Sequence, residues 1–176
     1  MLKISSCLPV ATALVGAAVV AFGSHVRAGG DKVVFPEGFD KGVLFTTVDR
    51  PDNKQFREFY ASQAALDAAK KGQPLPSGTV ITMVQWKAKL DAQGNPEKGA
   101  DGRFVKGDLN GYAVMEKRTG WGTEYPDNLR NGEWEYQAFT PAKAANANAK
   151  LNTCFECHLP KKSDDFVFLY GKMAGK

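Results

Sequence analysis

Hydrophobic positions along this chain are grouped in two ways. Residues 8–22 form one nearly unbroken apolar run, whereas beyond it apolar residues come in short blocks divided by Gly, Pro, Asn and Asp. Among those blocks, 79–86 is dense in β-branched residues and predicts a strand, and 111–117 and 134–140 predict two more. The last two are separated by a turn-rich stretch holding Gly120, Gly122, Pro126, Asn131 and Gly132. A final apolar segment, 165–170, reads as another strand. Ser62 stands as N-cap to an Ala-rich helix ending at Lys71, with Gly72 as its stop. A second short helix is predicted over 142–150. Residues 35–45 mix Pro, Gly and aromatics without a clean period and read as irregular with one short strand, and 56–60 is an aromatic cluster around Arg57 and Glu58. Residues 91–110, rich in Gly, Asp, Lys and Asn, read as a long hairpin connection or surface loop. Strands outnumber helices and follow one another without βαβ alternation, which predicts an α+β domain, mainly antiparallel β-sheet with a few helices.

The first apolar run changes the inventory. Lys3 precedes it, no acid accompanies it, and Val26-Arg27-Ala28 carries small or apolar residues where a signal peptidase reads. Residues 1–28 are therefore expected to be a signal peptide, cut before Gly29, and the run is short for a membrane span. Cys7 lies ahead of the run and leaves with it. Because the segment contains Lys3 and Arg27 but no Asp or Glu, its removal lowers the formal charge from +4 to +2. A mildly basic chain without Lys/Arg-rich blocks gives no support for nucleic-acid binding. What remains, 29–176, is the size of one domain and shows no internal repeat.

Within that domain the candidate chemistry is concentrated at Cys154-Phe155-Glu156-Cys157-His158. In C-x-x-C-H spacing two thiolates can add to the two vinyl groups of one haem while the adjacent imidazole reaches the iron. A structural zinc site would need four Cys or His ligands, and only these three remain beyond the signal, His25 lying within it. A thioredoxin-like pair is expected early in a parallel βαβ core, not near the C-terminus. An ordinary disulfide would suit an exported protein but leaves His158 without a purpose. One covalent haem c accounts for all three residues, and attachment of that kind implies a periplasmic location.

The sixth iron position separates the function classes. No second histidine remains in 29–176, and Met83, Met115 and Met173 are the methionines there. An open position would bind nitric oxide or another small nitrogen compound; a methionine ligand, Met83 foremost, would make the protein an electron carrier. A strand methionine is more commonly core filling. Phe56, Phe59, Tyr60 and Trp86 are candidates for an apolar wall.

The order of these motifs resembles the cytochrome P-460 family, including its cytochrome c′-beta branch. Arg57-Glu58-Phe59-Tyr60 is similar to the family's Arg-x-x-Tyr segment, Gly78-Thr79-Val80 to its Gly-Thr-Val strand, and Gly111-Tyr112 to the opening of a later strand. The C-x-x-C-H motif followed by Asp165-Phe166-Val167-Phe168 resembles the family's ending. The resemblance implies a mainly antiparallel β fold, often a homodimer, with a five-coordinate haem and His158 as proximal ligand. It also implies a distal-side role for Arg57, whose bland alternative is an ion pair with Glu58 or Asp52. In the hydroxylamine-oxidising branch a lysine five residues after the glycine is cross-linked to the haem; here that position is Met83, and Lys87 and Lys89 lie out of register. Residues 149–153 also lack a carboxylate that could serve as a base. The expectation is thus reversible binding of nitric oxide or a similar ligand, with oxidation of hydroxylamine or nitric oxide, electrons leaving to a redox partner protein, as the enzymatic alternative.

Overall fold

Three strands form where β-branched and aromatic residues predict them, and two more complete the sheet. The computed structural model describes residues 32–176, so the expected signal peptide at 1–28 lies outside the described residues. The strands are β1 Val43–Arg50, β2 Gln55–Ala61, β3 Val80–Ala88, β4 Lys106–Lys117 and β5 Trp134–Phe139. They lie in the order β1-β2-β3-β4-β5, each antiparallel to its sequence neighbours. The α+β expectation, mainly antiparallel sheet with few helices, holds. Helix α1 (Gln63–Lys70) connects β2 to β3 and begins as expected: the Ser62 hydroxyl accepts from the Ala65 amide at 3.2 Å. It ends at Gly72, whose φ of 67° is the left-handed stop that glycine adopts without strain. Helices α2 (Asn152–His158) and α3 (Tyr170–Met173) follow the sheet, with 3-10 turns at Phe39–Lys41 and Leu159–Asp164.

Several segments differ from, or go beyond, what the sequence predicts. The aromatic cluster at 56–60 is the middle of β2, and the short strand expected within 35–45 is the longer β1. Residues 142–150 are not helical. Lys143 has φ 64°, the Asn148 amide donates to the Asn146 side chain at 3.0 Å, and the Asn146 amide donates to the Ala138 carbonyl. The Asn146 side chain thus supplies the backbone with a turn bond in place of a helical one. Residues 165–170 are not a strand either, because Asp165 and Phe166 both have left-handed φ values, 51° and 60°. Phe166 and Val167 are both buried, a consecutive pair that a half-buried strand cannot present to one side. The long connection 91–110 is ordered by bridges between Leu90 and Pro96 and between Lys98 and Phe104, and its last residues already belong to β4.

Strand alternation gives the sheet two unlike faces. One carries Ala61, Ile81, Met115, Trp134 and Tyr136, and on it α1, α2 and α3 build the principal core with Phe155, Phe166, Val167 and Met173. Phe155 and Trp134 are fully buried; each contributes roughly 2–3 kcal/mol through removal of apolar surface from water. The opposite face is covered by Val33 and Phe35 over Val114 and Phe139, and by Phe104 over Phe56 and Ala88.

Candidate functional site

The C-x-x-C-H motif forms α2 itself. Cys154 and Cys157 are three positions apart and His158 follows four after Cys154, so all three project from one side of the helix, while Phe155 turns the other way into the core. Both thiols are free, Cys157 exposed and Cys154 half-buried, and burial raises the Cys154 thiol above its ordinary pKa. The Phe155 ring packs edge-on against Tyr125 and Tyr136 at 5.1 and 4.8 Å. Its carbonyl accepts from Asn131 Nδ2 at 3.0 Å, and the same amide reaches Tyr136 Oη at 2.9 Å. Asn131 therefore ties the helix to β5.

His158 is held on three sides. Its ring lies 4.9 Å from Tyr136 and 5.1 Å, edge to face, from Phe168. Nδ1 is 2.6 Å from the carbonyl oxygen of Phe166. A carbonyl can only accept, so Nδ1 carries the proton and Nε2 keeps its lone pair. Burial lowers the pKa of His158, favouring the neutral ring, with the Phe166 carbonyl acting against it. A neutral imidazole with Nδ1 hydrogen-bonded to a backbone carbonyl is the arrangement in which Nε2 binds a metal.

Beside this imidazole the sheet presents an apolar strip. Thr46 pairs with Phe59, Phe59 with Met83, Met83 with Ala113 and Ala113 with Ala138, so these five side chains cross the sheet in one row. Ala138 is two residues from Tyr136 on the same strand and face, which puts the row next to the His158 contact. Phe59, Met83, Ala113 and Ala138 are half-buried. The two alanines keep that end of the row low and flat. A flat apolar strip, a neutral imidazole with a free lone pair and two thiols on one helix side together fit a haem.

Met83 thus lies in the strip, and Arg57 one pair further along β2, opposite Val48 and Gln85. The Arg57 guanidinium does not pair with Glu58. Its Nε and Nη2 donate to Gln55 Oε1 at 3.0 and 2.8 Å, and burial, reinforced by the charge of Arg50, lowers its pKa. Glu58 lies on the opposite face, accepting from Trp86 Nε1 at 2.8 Å and from Lys106. Phe56 and Trp86 also lie on that far face, packed with Ala88 and Phe104, so of the four aromatics expected as an apolar wall the strip contains only Phe59. Glu156 is exposed.

Three contributors escaped the sequence reading: Tyr136 under the imidazole, Asn131 behind it and the Phe166 carbonyl at Nδ1. Tyr136 stood within a predicted strand and Asn131 within a predicted turn, but neither position carries a local signal of its contact with α2. Only the Asp165-Phe166 pair had one, since it lay in the motif that follows C-x-x-C-H.

An antiparallel sheet with an apolar strip, beside a helix presenting two thiols and a neutral imidazole, defines a haem-binding cytochrome. The chain belongs to the Cytochrome P460 family, whose pattern it matches over residues 36–169. A comparison with curated proteins gives no match. Among the described residues no helix is long and apolar enough to cross a membrane.

Proposed function

We propose that the protein is an exported monohaem c-type cytochrome that binds nitric oxide, or a small nitrogen compound like it, at a haem iron ligated by His158. Cys154 and Cys157 hold the haem through two thioethers, and His158 Nε2 supplies the proximal ligand. When bound, the haem supplies an iron with a position open to a small ligand. Phe166 fixes the tautomer of His158, Tyr136 and Phe168 fix its ring, and the strip of Phe59, Met83, Ala113 and Ala138 excludes water from one side. Arg57, in the row next to the strip beside Phe59, donates a hydrogen bond to the ligand or to a propionate. Residues 1–28 direct export to the periplasm and 29–176 form the working domain, with a redox partner protein or a second copy of the chain as its proposed associates.

The observation that carries this reading is the bond between His158 Nδ1 and the Phe166 carbonyl at 2.6 Å, which leaves Nε2 as the coordinating nitrogen of a C-x-x-C-H histidine. The position of Met83 on the strip favours one second reading, an electron carrier in which the Met83 sulfur is the sixth ligand. Visible absorption of the purified protein, oxidised and reduced, with and without nitric oxide, separates the two. A high-spin spectrum that shifts on adding the gas is expected. A sharp low-spin spectrum indifferent to nitric oxide would mean a sixth protein ligand, Met83 or another methionine, and an electron-transfer role, and protein matured with competent haem-attachment machinery yet lacking haem absorbance would overturn both.

A further inference from the structure

Outside α2, the least ordinary stretch of backbone is Asp165-Phe166, where two consecutive residues other than glycine have left-handed φ values of 51° and 60°. For a side chain with a Cβ that conformation costs roughly 1–2 kcal/mol per residue, and aspartate tolerates it better than phenylalanine. Such a pair persists only when its surroundings over-determine it. Here they do. Both carboxylate oxygens of Asp165 lie 2.9 Å from Lys117 Nζ, and Oδ2 also accepts from the Leu75 amide at 2.8 Å. The Lys117 and Asp165 side chains are only 10% and 14% exposed, so the ion pair is screened little by water. Lys117 is the last residue of β4, and its backbone is bound to Thr79 and Gly78, just before β3. The Phe166 amide donates to the Lys161 carbonyl at 2.7 Å, and the Phe166 ring fills the space beside Gly132.

The strained pair has one evident product: it turns the Phe166 carbonyl back toward α2, onto His158 Nδ1. We infer that Asp165 and Lys117 are positioning residues for the proximal histidine, a buried ion pair that anchors the left-handed turn and thereby sets how strongly the Phe166 carbonyl polarises the imidazole. This rests on the reading of His158 as the iron ligand. A short Nδ1–H···O=C bond pushes electron density toward Nε2 and makes the imidazole a stronger donor. Stronger donation stabilises the oxidised iron and stiffens the iron–histidine bond. The rigid end of β4, some forty residues from the motif in sequence, thus acts on iron electronics without touching the haem.

The test uses the haem-loaded full chain, with two readouts that a purely structural contact would leave unmoved: the reduction potential from spectroelectrochemistry and the iron–histidine stretching band of the ferrous protein from resonance Raman scattering. Asp165→Asn keeps shape and left-handed tolerance but presents an amide donor to the lysine ammonium. The double variant Lys117→Met, Asp165→Asn removes both buried charges together and guards against a folding failure of the single one. The expected result in both is a potential shifted upward and a stretching band shifted to lower frequency. Wild-type values of both quantities in either variant, whatever happens to thermal stability, would overturn the inference. Haem stain of the wild type on a denaturing gel separates this from failure of the cytochrome reading. Were the wild type free of haem, nitrogen NMR of the His158 ring in the full chain would still decide, because Asp165→Asn must then weaken the Nδ1 proton's protection, and an unchanged signal would overturn the inference.

Discussion

Asn131 Nδ2 lies 3.0 Å from the carbonyl oxygen of Phe155, so a fully buried amide in the turn before β5 holds the middle of the C-x-x-C-H helix. The same nitrogen is 2.9 Å from Tyr136 Oη, and burial keeps the Tyr136 phenol protonated far above its ordinary range. Replacing Asn131 by Leu strands both acceptors in the core. Each buried polar group left without its partner costs about 1–3 kcal/mol, so Asn131→Leu, which strands two, should lose about 2–6 kcal/mol. Urea unfolding checks this; a loss below about 0.5 kcal/mol would mean that the two bonds are immaterial.

Gly132 has φ 62°, and a Cβ there would sit 3.1 Å from the Phe166 ring. Gly132→Ala therefore combines left-handed strain of roughly 1 kcal/mol with displacement of the ring next to the His158 anchor. The expected outcome is a lower melting temperature together with a change in the visible spectrum of the haem-loaded protein. Loss of stability with an unaltered spectrum would separate Phe166's packing from its effect on His158.

Arg57 is expected to act on ligand release. A hydrogen bond from a charged donor is worth about 1.5–3 kcal/mol, so Arg57→Met should speed nitric oxide dissociation about tenfold or more, without lowering haem content. Stopped-flow trapping of released gas measures the rate. An unchanged rate would leave Arg57 with a structural role only, as a partner of Gln55.

Glu135 gives a dependence on pH. Its side chain is fully buried on β5; desolvation raises its pKa above the ordinary 4.5, against the hydrogen bond from Tyr125 and the charge of Lys32. Because the folded state favours the protonated acid, folded protein binds more protons than unfolded protein above pH 4.5. The stabilisation is complete below that value and is lost as pH rises through the raised one. Unfolding free energies at pH 5 and pH 8 should therefore fall further for wild type than for Glu135→Gln, and equal slopes would place the pH dependence elsewhere.

Legibility in the sequence divides along the range of the interactions. Cys154, Cys157 and His158 were readable as a candidate site because their spacing is local and falls within a single short helix. The Ser62 cap and Gly72 stop were readable for the same reason. Strand β2 was not, because Phe56, Phe59 and Tyr60 put aromatics on both faces and erase the alternation that marks a half-buried strand. Residues 142–150 misled because their alanines favour a helix, while the Asn146 side chain bonds the Asn148 amide into a turn. The strip that Met83 shares with Phe59, Ala113 and Ala138 exists only once four strands are in register. That register follows from the pairing of whole strands, not from any one of them.

The succession of strands β1 to β5 also imposes an order in time. Every pairing in the sheet joins neighbours in sequence, so each hairpin can close as soon as its second strand is available, with little loop entropy to overcome. The segment bearing Cys154, Cys157 and His158 is different. Its anchors reach back to Asn131, to Lys117 and, across ninety residues, to Leu75. A chain delivered from its N-terminus therefore finishes its platform before the thiols arrive. On the proposed reading, folding and haem attachment would meet at the last step, with the C-x-x-C-H helix closing over a surface already made.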